Sequence, residues 1–215
     1  MSDKTRKYIL YALGEIALVM IGILLALQVN NWNEQRKQLS AEETFIAGVK
    51  NDLSQDQQYI QFIVESAEKK LSLFDDLEDR AIDLYENDRP TLDSLLLAYF
   101  TPPRTFYPIS GSYESAVAGN EISRYKNKEF TSAATGLYNS SYARMMDNAK
   151  EHDARWFDIG KKYSRIKRTG TMSDMSREDI HVFLDDIYHY DLMLEYYRDV
   201  LADANREIER ILNIY

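Results

Sequence analysis

The chain has no cysteine, which excludes disulfides and thiol chemistry while leaving the compartment open. Histidine is nearly as scarce. His152, His181 and His189 are too scattered for a metal centre. Glu178-x-x-His181 has the i, i+3 spacing of bundle di-metal sites, but those sites need a second such pair and two further carboxylates. An acid in the first turn of a helix is expected there in any case. There is no phosphate-binding glycine loop, no G-x-S-x-G elbow and no H-E-x-x-H. The sequence therefore names no catalytic residue, no cofactor and no metal, and it reads as non-enzymatic. Only four prolines occur, three of them within 101–120 together with two of the eight glycines. Elsewhere breakers are few and no strand pattern competes, so the expected class is all-α.

Positive charge is also in deficit. The net charge is -9, and residues 1–37 hold five Lys or Arg against three acids, leaving 21 basic and 32 acidic residues in the rest. An acidic body repels phosphate backbones. The one basic cluster, Lys161, Lys162, Arg165, Lys167 and Arg168, falls near the end of a predicted helix, where the dipole favours cations. Nucleic acid is not expected as a partner.

One long apolar run is present. Residues 8–29 carry a single charge, Glu15, and 22 residues of helix rise about 33 Å, enough to cross a hydrocarbon core. The run exceeds the apolar part of a cleavable signal, and no A-x-A-like site follows Ala26. It reads as a retained transmembrane helix between a cytoplasmic tail (1–7) and an interfacial connection (30–40). Lys4, Arg6 and Lys7 precede the span and only Arg36 and Lys37 follow closely, which favours a cytoplasmic N-terminus. In a Gram-negative cell the main domain is then periplasmic. Trp32 reads as an interfacial anchor, with Tyr8 and Tyr11 at the opposite boundary.

Ala12, Glu15, Val19, Gly22 and Ala26 recur at spacings of three and four, so they share one helix face. That face holds the small-xxx-small pair Gly22 and Ala26, which predicts self-association into a homo-oligomer within the lipid. A carboxylate at this depth must be neutral, paired, or turned to protein or water. Three roles follow: a hydrogen bond across a helix oligomer, a cation or proton path, or a pair with a basic residue of a second envelope protein.

Beyond the span, residues 41–215 read as an antiparallel bundle of long helices. Ser40-Ala-Glu-Glu43 resembles a capping box, and Ile46, Val49, Leu53, Ile60, Ile63, Ala67, Phe74, Leu77, Ala81 and Leu84 follow at heptad positions interrupted only by Asp56 and Lys70. With few breakers before residue 41, the span is free to continue into this helix. A short helix at 92–100 ends at Pro102-Pro103. Segment 101–120 is irregular, with Ser112 as cap of a short helix stopping at Gly119 and Asn120. A third helix is predicted over 129–167, then a turn at 169–171, then a fourth helix opened by Ser176 and Asp179. Sixteen tyrosines are unusual. Tyr107, Tyr113, Tyr190 and Tyr197 are candidate partner-surface residues, core packing being the competing role.

The stretch GEIALVMIGILLALQVNNWNE resembles the N-terminal signature of an uncharacterised family of single-span helical membrane proteins frequent in Bacteroidetes, through Gly14-Glu15-Ile16, Gly22-Ile23-Leu24 and Asn30-Asn31-Trp32-Asn33-Glu34. SYESAVAGNEIS, 112–123, is similar to a mid-chain segment of those proteins. The resemblance implies a helical protein of the bacterial inner membrane and implies no activity.

Overall fold

The computed structural model describes residues 3–171 and 175–214, with side chains from residue 11 onward. The side chains of Lys4, Arg6, Lys7 and Tyr8, which enter the topology argument, lie outside the described residues. Among the described residues there is no strand: a long helix with an apolar N-terminal stretch is followed by further helices. Helix α1 runs unbroken over Asp3–Asn87, 85 residues, about 130 Å at 1.5 Å per residue. Residues 30–41 contain neither glycine nor proline and are rich in Glu, Gln, Lys and Arg, so nothing stops the helix there. The helix start expected at Ser40 is accordingly absent. Its carbonyl accepts from the Thr44 hydroxyl inside the helix instead.

Asp88 and Pro90 end α1 and start α2 (Arg89–Tyr99), with the Asp88 carboxylate accepting from the Thr91 N–H and hydroxyl. Segment 101–110 is irregular. Helix α3 spans Gly111–Ala118, a 3₁₀ turn Ile122–Arg124, α4 Lys128–Gly136, α5 Tyr142–Lys162, α6 Ser164–Thr169 and α7 Arg177–Leu212. The expected single helix over 129–167 is thus divided. A π-turn at Leu137–Ser141 separates α4 from α5, and Tyr163, at φ −104° and ψ 23°, breaks α5 from α6. The α7 capping box forms as expected: Ser176 Oγ accepts from the Asp179 N–H, and Asp179 accepts from the Ser176 N–H.

Helix α7 lies antiparallel to α1, as Lys50 reaches Leu212 and Ile214 at one end and Tyr85 reaches Met175 at the other. Helix α5 runs parallel to α1, because α2 and residues 101–127 carry the chain back to the foot of the bundle: Tyr142 meets Asp56, and Trp156 meets Lys70. Two apolar clusters fill the interior. The lower packs Val49, Leu53 and Ile60 against Phe130, Leu137 and Ile208. The upper packs Phe74 and Leu77 against Leu96, Phe183 and Ile187. Each such side chain contributes about 1.5–3 kcal/mol when fully buried.

Four charged residues of α1 that face this interior, Asp56 apart, each meet the end of another element. Glu42 accepts from the N–H of Asn127, the N-cap of α4, at 2.6 Å. Asp52 accepts from the Ser112 N–H in the first turn of α3 at 3.2 Å. Lys50 donates to the Leu212 and Ile214 carbonyls at the end of α7, at 3.0 and 2.6 Å. Lys70 donates to the carbonyls of Tyr99 and Thr101 at the end of α2. Anions stand at N-termini and cations at C-termini, the arrangement the helix dipole favours. Ser112 is therefore not the cap of α3; Ser110 holds that position, and the Ser112 N–H is taken by Asp52. Gly48 lets α3 approach, since a Cβ there would lie 2.7 Å from Ser112 Oγ and 3.1 Å from its Cβ.

Candidate functional site

Asp56, 1 % exposed on α1, organises a groove on one side of the bundle. Its carboxylate accepts from the Ile109 N–H at 3.1 and 3.3 Å and from the Tyr142 hydroxyl at 2.8 Å. The irregular segment is pinned at further points: the Phe106 N–H donates to the Tyr197 hydroxyl at 3.0 Å, and the Ile109 carbonyl accepts from the Tyr138 hydroxyl at 3.1 Å. Three prolines leave this stretch few N–H groups, and side chains of α1, α7 and the π-turn supply the backbone partners a helix or sheet would otherwise provide. The π-turn adds one residue to the helical register. Tyr138 and Tyr142, four residues apart on one helical face, both turn to this segment, their rings edge to face at 5.2 Å. Tyr113 of α3 stacks flat on Tyr138 at 4.4 Å and 8°.

Between these walls lies a groove of about 560 Å³, lined among others by Tyr107, Tyr113, Glu114, Val117, Tyr138 and Tyr142. Tyr107 is 70 % exposed, and Glu114 accepts from the Ser110 hydroxyl at 2.6 Å. Glu114 is the one charged side chain among the described lining residues, and no Lys or Arg lines the groove. Burial pushes the Asp56 carboxyl up to about 6, against the hydrogen bonds from Tyr142 and Ile109, with Asp52 adding repulsion. Burial, reinforced by Asp56, holds the Tyr138 and Tyr142 phenols well above their ordinary range. Both hydroxyls are neutral donors.

A second polar centre lies at the seam of the two apolar clusters. The Lys70 ammonium sits over the ring of Trp156 at 3.8 Å and of Tyr99 at 4.6 Å. His152 Nε2 pairs with the Tyr190 hydroxyl at 2.7 Å, and the His152 ring stacks on Tyr197. Burial lowers Lys70 to about 7, against the pull of Asp191, and raises Asp191 to about 7 with help from Asp75 and Glu195. This is an interior network with 7 % of Lys70 exposed.

Ala12, Glu15, Val19, Gly22 and Ala26 are all exposed on the N-terminal stretch of α1, and a Cβ at Gly22 would meet nothing within 4 Å. Trp32 is 63 % exposed with the Arg36 guanidinium 5.6 Å over its ring. Of the four candidate surface tyrosines, Tyr107 is exposed and Tyr113 lines the groove. Tyr190 and Tyr197 are not surface residues: both are buried, because their heptad positions face α1 and α5 and their hydroxyls find partners inside. Glu178 and His181 are exposed, and among the described residues no group of three metal-ligating side chains forms. Sequence reasoning missed Tyr138, Tyr142 and Glu114. The available signal was Asp56, a carboxylate where the heptad calls for an apolar residue.

A family model described as a family of unknown function (DUF6090) matches residues 15–193. The chain belongs to this family. No curated protein and no solved structure matches it. The DUF6090 match begins at Glu15 and takes in the groove, Asp56 and Lys70, but stops short of the last turns of α7.

Proposed function

We propose that this DUF6090 protein is a non-enzymatic, membrane-anchored helical protein that self-associates through the face of Ala12, Glu15, Val19, Gly22 and Ala26 and presents its bundle, groove outward, to a ligand or partner in the bacterial envelope. The observation that carries this reading is the continuity of α1. An apolar stretch with mean hydropathy 2.2 and no buried residue belongs to the same helix that forms the bundle's core. Uncovered apolar surface of that length calls for lipid or another copy to cover it. Trp32 and Arg36 then mark the outer interface, with the main domain in the periplasm.

The test is the oligomeric state of full-length protein in nanodiscs, measured by mass for wild type, Glu15→Gln and Gly22→Ile. A wild-type oligomer that Gly22→Ile converts to monomer supports the assembly face; a monomeric wild type removes it. A second reading rests on Glu15 alone, the one charge in the apolar run: a ring of these carboxylates passing cations or protons. Proteoliposomes that carry a flux abolished by Glu15→Gln would favour it over simple anchoring.

A further inference from the structure

We propose that the tyrosine groove binds a small soluble organic cation, an ammonium group on a short apolar or hydroxylated body. The proposal rests on the presenting-domain reading above and names its ligand class.

Four tyrosines line the groove, Tyr107 exposed and Tyr113, Tyr138 and Tyr142 buried in its wall with Tyr113 and Tyr138 stacked on each other, and the face of a phenol ring is the negative pole of its quadrupole. The Tyr142 hydroxyl donates to a carboxylate and the Tyr138 hydroxyl to a carbonyl, which makes both rings richer in electrons. Glu114 is the one charged lining side chain, steadied by Ser110. Behind the wall stand Asp52 and Asp56, and the whole chain carries -9. An anionic ligand would meet these carboxylates with no Lys or Arg among the described lining residues to offset them. A volume of about 560 Å³ suits an organic molecule rather than a bare metal ion. A lipid headgroup is the wrong source. Asp52 and Asp56 lie 20 and 24 residues beyond Trp32 on one continuous helix, about 30–36 Å along its axis from the interface. The ammonium must therefore arrive in solution.

The experiment uses full-length protein in phosphatidylglycerol nanodiscs, which contain no choline. Choline is titrated beside its neutral isostere 3,3-dimethylbutan-1-ol and the anion 3,3-dimethylbutanoate, with binding followed by calorimetry. Choline should saturate in the millimolar range and bind about tenfold more tightly than the alcohol, the scale of a cation–π and carboxylate contribution. Glu114→Gln should weaken it about tenfold and Tyr107→Ala several-fold, with unchanged melting temperature, since both side chains are exposed. Equal affinity for the alcohol, tighter binding of the anion, indifference to Glu114→Gln, or no saturation by about 10 mM would each overturn the proposal. A lysine-bearing peptide that outcompetes choline would assign the groove to a protein partner and overturn the small-molecule reading. Because the readout is ligand binding, its failure is separate from a failure of self-association, which the mass measurement reports.

Discussion

Asp56 and Lys70 show how a single buried charge fixes distant chain segments. Asp56 titrates at about 6 in the fold against 3.8 unfolded, so the folded state holds the proton more tightly. Its stabilising contribution is full below pH 3.8 and is lost as pH rises through 6. Asp56→Asn, near-isosteric and uncharged, should remove the decline in melting temperature between pH 4 and 6; circular dichroism melts across that range check it, and an unaltered slope would show that Asp56 does not titrate there. Lys70 has the opposite sign. It is held near 7 against 10.5 unfolded, so the unfolded chain binds more protons between those values and stability rises with pH across that window. Lys70→Met should flatten that rise and, at the alkaline end of the window, lower stability, because the Tyr99 and Thr101 carbonyls lose their donor, at about 1–3 kcal/mol for a buried group left unpaired. Both residues were legible in the sequence as breaks in a heptad. Their partners were not, since Ile109 and Tyr142 lie 53 and 86 residues from Asp56 and no local pattern encodes a contact at that separation.

At the scale of elements, apolar periodicity located the bundle part of α1 and α7 but not the absence of a helix start at Ser40, the proline pair marked the end of α2, and Ser176 with Asp179 marked a true boundary. The division of 129–167 escaped because a π-turn is a one-residue change of register with no proline to announce it; Gly136 borders it but stands in open space. Close packing at Gly48 was equally silent. Gly48→Ala gains about 1 kcal/mol of helix propensity but drives a methyl into Ser112, so we expect a net loss of stability of about 1 kcal/mol. Ser112→Gly in the same background removes both close contacts and should restore it. Denaturant melts of the double-mutant cycle measure this, and additive effects would show that α1 and α3 do not touch there.

For the whole molecule, the apolar stretch was readable from composition, whereas the path of the chain was not: α5 lies parallel to α1 because α2 and the irregular segment bring the chain back to the foot. Between the apolar stretch and the bundle, residues 30–37 are largely exposed, with the 3₁₀ turn beside Glu34 and Lys37 at their upper end. Exposed helix turns with little tertiary packing open locally more readily than packed ones, so amides of 30–37 should exchange at least about tenfold faster than those of 45–63 in nanodiscs. Hydrogen exchange resolves the two segments, and equal protection would mean that a second copy covers the exposed turns. The unbroken run of α1 also sets an azimuth. At about 100° per residue, the face of Glu15, Gly22 and Ala26 and the face of Phe45, Asp52 and Asp56 point about 120° apart around one axis. In the assembly proposed above, copies that meet through the first face carry their bundles about 120° around from that contact, like vanes on separate masts, with each groove's compass bearing fixed by the count of residues beneath it.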